Sequence, residues 1–110
     1  MGKQFFRIDD RATLDGLISD SKQRTVLVFK HSNACGISAR AYRELEKLEG
    51  QVNLLEVQAV PELSREVESL TGIRHETPQV ILLRDGKAVW DASHFDVTVD
   101  SVSRALKSNA

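Results

Sequence analysis

Cys35 is the only cysteine in a chain of 110 residues, and it stands where a thiol can act as a nucleophile. It follows the apolar run Thr25-Val26-Leu27-Val28-Phe29 and opens a helical pattern. A thiolate at a helix N-terminus faces backbone N–H groups that lack intrahelical acceptors, at the positive end of the helix dipole. That environment favours the ionised sulfur, which is the reactive species. The competing reading is an inert small apolar side chain, because free cysteines are often buried. One cysteine permits no intramolecular disulfide and no zinc thiolate cluster.

Three kinds of neighbour bear on that sulfur. Ser38 lies three residues on, so it shares a helix face with Cys35. Its hydroxyl can hydrogen-bond a thiolate but cannot resolve a disulfide, or it can satisfy its own helix backbone instead. Gly36 has no side chain to shield the sulfur, although glycine also occurs at plain helix starts. His31 precedes Cys35 by four residues and borders the site, and His94 follows the last apolar run. A histidine beside a thiol can favour its ionised form or contact an adduct carboxylate. Against each stands the plainer reading of a surface or packing histidine. His75 is read as loop structure and Trp90 as packing a hairpin.

The elements that must position these residues alternate between two periods. Residues 4–8 are short and apolar-biased, a candidate edge strand. Asp9 or Asp10 caps a helix with Leu14, Leu17 and Ile18 on one face. Residues 25–29 read as a strand covered on both faces, hence central and parallel to its neighbours. A second helix carries Ile37, Ala41, Leu45 and Leu48, with Gly50 as its C-terminal glycine. Residues 52–57 form another strand, and Pro61 opens a third helix with Leu63, Val67 and Leu70, stopped by a Schellman turn at Gly72-Ile73. Two apolar runs flank Asp85-Gly86, a hairpin signal. Thr98 caps a last helix carrying Val99, Val102, Ala105 and Leu106. The order βαβαβαββα predicts an α/β chain with a mixed sheet of four or five strands and helices on both faces, and the thioredoxin-like fold is the commonest such arrangement.

Bulk properties narrow the function classes. The length suits one domain over residues 1–110. With 41% apolar and 28% charged residues, the chain has the composition of a soluble globular protein. A net charge of −1 offers no footprint for nucleic acid or an anionic membrane. The longest apolar runs are far below the roughly 20 residues that span a bilayer. The first seven residues contain no signal-peptide core, so the expected location is cytoplasmic, where a lone thiol stays reduced.

The motifs also carry a resemblance. Cys35-Gly36-Ile37-Ser38 is similar to the redox motif of thioredoxin-fold proteins, with serine in place of the resolving thiol, and Thr77-Pro78 resembles their cis-proline motif. Phe29-Lys30-His31-Ser32, Cys35, Ile37-Ser38, His75-Glu76-Thr77-Pro78-Gln79, Asp85-Gly86-Lys87, Val89-Trp90 and Ser93-His94 together resemble the monothiol bacilliredoxins of the YtxJ type across nearly the whole chain. The proline usual after that family's cysteine is replaced by Gly36. This brings the motif near the Cys-Gly-Phe-Ser of monothiol glutaredoxins, which hold an iron–sulfur cluster between two subunits with glutathione. The glycine pair after the glutaredoxin hairpin is absent, Ala92-Ser93-His94 standing there, and the upstream lysine has a different spacing.

The resemblance implies a thiol–disulfide oxidoreductase of the stress response. Cys35 would take a low-molecular-weight thiol, bacillithiol or a relative, from mixed disulfides on client proteins, and an external thiol would regenerate it. Gly36, Ser38, His31, His94, Thr77 and Pro78 would line the adduct site. No metal or resident cofactor is expected, the small thiol being a co-substrate, and the chain is expected to be a monomer. A cis bond would turn the Thr77 backbone towards Cys35, although X–Pro bonds in general favour trans. The buried aspartate that two-cysteine thioredoxins carry six residues before the nucleophile is replaced by Phe29, which suits exchange through an already ionised thiolate. The alternatives are a cluster carrier and a non-catalytic interaction module.

Overall fold

A computed structural model describes residues 4–110. Strand β1 (Phe5–Arg7), helix α1 (Arg11–Asp20), β2 (Val26–His31), α2 (Gly36–Leu45), β3 (Val52–Glu56), α3 (Pro61–Thr71), β4 (Gln79–Arg84), β5 (Lys87–Ser93) and α4 (Val99–Ser108) follow in order. A short 3₁₀ turn, His94–Asp96, lies between β5 and α4. The five strands form one sheet in the order β1-β3-β2-β4-β5. This is the α/β arrangement with a mixed sheet that the sequence predicts.

Strand alternation divides the interior into two layers. On one face Leu27, Phe29, Val80 and Leu82 pack with Ala41 and Leu45 of α2 and Val102 and Ala105 of α4. On the other, Val26, Val28, Ile81 and Leu83 pack with Leu14 and Leu17 of α1 and Val67 of α3. Asp10 caps α1, accepting the Thr13 N–H at 2.8 Å, and Thr98 caps α4, accepting from Ser101 at 3.1 Å. Each side chain satisfies an N–H that the helix itself cannot. Asp85 and Gly86 both have positive φ, 55° and 75°, the backbone a two-residue type I′ hairpin requires. Ser21 at the end of α1 accepts both of their N–H groups, Asp85 on its carbonyl and Gly86 on its hydroxyl, which ties the turn to the helix.

Four local expectations are corrected. The central strand β2 runs parallel to β3 but antiparallel to β4, so it is parallel on one side only. Helix α2 ends at Leu45, and Leu48 and Gly50 lie in the turns beyond it; the positive φ of Gly50 serves the approach to β3, not the helix end. Leu70 is exposed, and Ser64 instead joins Val67 on the buried side of α3. Gly72 closes α3 through one bond from its N–H to the Glu68 carbonyl, an αL cap in place of the Schellman pair, because the Ile73 N–H is taken by the Thr71 hydroxyl.

Candidate functional site

The loop after β2 delivers Cys35 to the start of α2. Cys35 is the N-cap residue, in extended conformation (φ −122°, ψ 124°), and its side chain makes no capping hydrogen bond. The first amides of α2, from Gly36 onward, therefore have neither an intrahelical nor an N-cap side-chain acceptor at Cys35. Cys35 is part-exposed. A Cβ built on Gly36 would meet nothing within 4 Å, so glycine there is not a packing requirement and leaves the flank of the sulfur open.

Ser38 does neither of the two things expected of it. It is fully buried, and its hydroxyl lies 2.7 Å from His31 Nδ1 while accepting the Ser32 N–H at 2.9 Å. Neither bond runs to Cys35. The polar group lies inside the fold, where leaving the Ser32 amide unpaired would be costly, and this decides where the hydroxyl points. His31 is the end of β2, half-buried between the rings of Phe29 and Tyr42. Burial pushes its imidazole below the usual histidine range, partly opposed by Glu56. His31 thus borders the site through Ser38.

The loop itself is pinned to β3. The Ser32 hydroxyl accepts from Gln58 at 2.7 Å, and the Asn33 N–H donates to the Gln58 side chain at 3.3 Å. The Asn33 side chain also donates to Glu56, which holds Arg7 at 2.9 Å. The Arg7 hydrogen bond keeps the Glu56 carboxyl below its ordinary value. An open groove of about 380 Å³ lies beside this loop, its walls including His31, Asn33, Tyr42 and Glu56.

The second wall comes from the start of β4. Lys30 pairs with Gln79, so the end of β2 that feeds Cys35 lies beside the residue after Pro78. The Thr77–Pro78 peptide is cis, as the resemblance implies. β5 returns to the same end, pairing Ser93 with Gln79, and the His94 N–H donates to the Pro78 carbonyl at 2.8 Å. His94 has a left-handed backbone (φ 56°), and its Nε2 lies 3.2 Å from Glu76, so its ring is engaged with that carboxylate. His75 turns to α3, bonding Ser64 at 3.1 Å; burial and the nearby Lys30 charge push its imidazole down. Phe95, 61% exposed, has the Arg40 guanidinium 5.5 Å from its ring centre.

Sequence reasoning passed over Lys30. It has no exposed surface, and its ammonium donates to the Ser64 carbonyl at 3.4 Å. The signal was available: a lysine two residues after Val28 on a fully apolar strand occupies an interior position. Burial pushes it down to about 8, against the opposing pull of Glu68 and Glu76.

Comparison with known proteins agrees with this architecture. The family model described as monothiol bacilliredoxin BrxC matches residues 6–102. A solved structure of a candidate oxidoreductase with a thioredoxin fold is 29% identical, covers 93% of each chain and superposes with a TM-score of 0.83. Fasciola hepatica thioredoxin shares the fold at 18% identity and a TM-score of 0.77, covering 96% of this chain and 99% of that one. Reduced Schistosoma mansoni thioredoxin pre-protein does so at 17% and 0.74, covering 98% and 100%.

Proposed function

This chain belongs to the monothiol bacilliredoxin family and is a thiol–disulfide oxidoreductase, and from that premise we propose that it removes a low-molecular-weight thiol from mixed disulfides on client proteins. The observation that carries this reading is the position of Cys35. It is the only thiol in the sequence, part-exposed, at the N-cap position of α2, and it follows the strand whose Lys30 pairs with Gln79, the residue after the cis Thr77–Pro78 bond.

The exchange has two steps. The Cys35 thiolate attacks the small-thiol sulfur of the mixed disulfide. A new S–S bond forms to Cys35, the old one breaks, and the client cysteine leaves as a thiolate that takes a proton from water. An external thiolate then attacks the sulfur of the small thiol, and Cys35 leaves as a thiolate. Each step exchanges one disulfide for another, with no net change in oxidation state. Amides of the first turn of α2 stabilise the sulfur when it is anionic. The Thr77 backbone, the open flank at Gly36 and the His94 corner hold the adduct. Ser38 and His31 set the shape of the loop that carries Cys35.

The small thiol is bacillithiol or a relative, acting as co-substrate with no resident cofactor. The protein works as a monomer in a reducing cytoplasm, returning proteins to their free-thiol state after oxidative stress. Among the described residues, no helix is long and apolar enough to cross a membrane.

The test is adduct transfer followed by intact mass. The protein is incubated with bacillithiol-, glutathione- and coenzyme A-modified proteins. The expected result is loss of the bacillithiol group from the client and its appearance on Cys35. Removal by a Cys35→Ala variant at the wild-type rate would overturn the reading.

A further inference from the structure

A lysine with no exposed surface, in the central strand of a small sheet, calls for a physical explanation. An ammonium taken out of water is costly unless nearby charge and hydrogen bonds compensate. Lys30 has one long hydrogen bond, to the Ser64 carbonyl at 3.4 Å. The charges of Glu68 and Glu76 act on it only at longer range, neither forming an ion pair with it. Methionine or leucine would fill a strand interior without that cost.

The same groups that face Lys30 hold residues 74–78. Ser64 bonds the His75 ring at 3.1 Å, and Glu68 accepts the His75 N–H at 3.2 Å. Glu76 pairs with His94, whose own N–H holds the Pro78 carbonyl. Gln79, directly across from Lys30 and on the same sheet face, is buried. Its Nε2 donates to the Arg74 carbonyl at 2.9 Å, while its Oε1 has no hydrogen-bond partner. Anchors at residues 74, 75, 76 and 78 thus converge on the surroundings of one buried cation.

We propose that Lys30 is a positioning residue: its ammonium, held on the Ser64 carbonyl across from Gln79, fixes the 74–78 segment that cradles the adduct on Cys35. The cradle in this statement rests on the exchange reading above; the fixing of the segment does not. The carboxylates carry negative charge around a segment that must hold still. Without the cation, Ser64 loses its Lys30 partner and Glu68 and Glu76 lose a nearby positive charge, and the bonds that these three make to His75 and His94 loosen. Burial lowers the titration of Lys30 to about 8, against the pull of the two carboxylates, and makes the cation dischargeable in mildly alkaline solution. The other polar groups around it are Ser64 and Glu68 on α3, His75 and Glu76 before β4, and Gln79 on β4.

The test compares wild type with Lys30→Met. Thermal unfolding at pH 7 is expected to shift upwards, because a buried charge has been removed. Alkylation of Cys35 by iodoacetamide, which needs no docking, is expected to stay within twofold. Transfer from a bacillithiol-modified protein is expected to fall about tenfold, and amide hydrogen exchange at residues 75–77 to quicken about tenfold. The wild-type transfer rate should also fall between pH 7.5 and 9 relative to that of the variant. Unchanged exchange at 75–77 overturns the proposal, and so does an equal drop in alkylation and transfer, which would place the effect on the sulfur. If wild type itself transfers nothing, the exchange reading fails while hydrogen exchange still decides whether Lys30 fixes the segment. Should Lys30→Met fail to fold, Glu76→Gln, on the surface of the same cluster, must show the same quickening at 75–77 or the proposal falls.

Discussion

The hydroxyl of Ser38 lies 2.7 Å from His31 Nδ1, joining the last residue of β2 to the first turn of α2 across the loop that carries Cys35. The same oxygen accepts the Ser32 N–H at 2.9 Å. The serine that stands where two-cysteine relatives have a resolving thiol is therefore a structural clasp for the nucleophile's loop.

Ser38→Ala should destabilise the protein by about 1–3 kcal/mol, the cost of leaving buried hydrogen-bonding groups unpaired. Urea unfolding of the variant checks this, and a change within error would mean that the clasp contributes nothing. Cys35 should still form adducts, since neither Ser38 bond runs to the sulfur.

A small-thiol adduct on Cys35 should persist in buffer without reductant. A hydroxyl cannot attack a disulfide productively, and the chain holds no second cysteine. Ser38→Cys should release the adduct spontaneously and end as an internal disulfide, because residues one helical turn apart face each other at high effective concentration. Intact mass over time reads out both. Equal loss from wild type and Ser38→Cys would rule out the one-thiol mechanism.

Acid should weaken the fold before any carboxylate titrates. Burial lowers both His31 and His75 below the ordinary value of 6.5. The unfolded chain then binds protons that the folded one refuses, so their contribution is complete above pH 6.5 and is lost as pH falls through the folded values. Urea midpoints measured from pH 7 to pH 5 should decline, with ring resonances of both histidines titrating below 6.5. A flat profile over that range would contradict it.

Lys30 extends the rise of stability with pH into alkali. It titrates at about 8 when folded and at 10.5 when free. Below pH 8 both states carry the proton and the fold bears the whole burial cost. Between 8 and 10.5 the unfolded state holds more protons, so stability rises with pH. The advantage of Lys30→Met over wild type, up to about 3 kcal/mol at pH 7, should shrink through that window. Parallel stability curves for the two proteins would refute this assignment.

The path of the chain was legible because its local signals agree. Valine and leucine runs, aspartate and threonine caps, Pro61 at a helix start and Asp85-Gly86 each point to one conformation, and each is found. Errors arose where a local cue competes with tertiary contact. Gly50 looks like a helix stop, yet α2 ends at Leu45 and the positive φ serves the next turn. Leu70 fits a helical stripe but is largely exposed, and Ser64 is the residue turned inward. At the site, spacing placed Cys35 and Ser38 on one helix face. It could not show that the hydroxyl would be claimed by His31 and Ser32, partners brought there by the end of another element. Lys30 is poorly legible as an interior residue, because a charged residue beside histidine and serine reads as the polar end of a strand.

Lys30 and His31 are consecutive, so the alternation of β2 sends one towards α3 and the other towards α2. The two jaws of the cleft are thus moored on opposite sides of a single strand, through partners they do not share. Substitutions in the two moorings should be energetically independent, Ser38→Ala and Lys30→Met summing to within about 0.5 kcal/mol in the double variant. A lineage of such proteins could then retune how it grips the adduct without disturbing the seat of its nucleophile, because the sheet itself insulates one from the other.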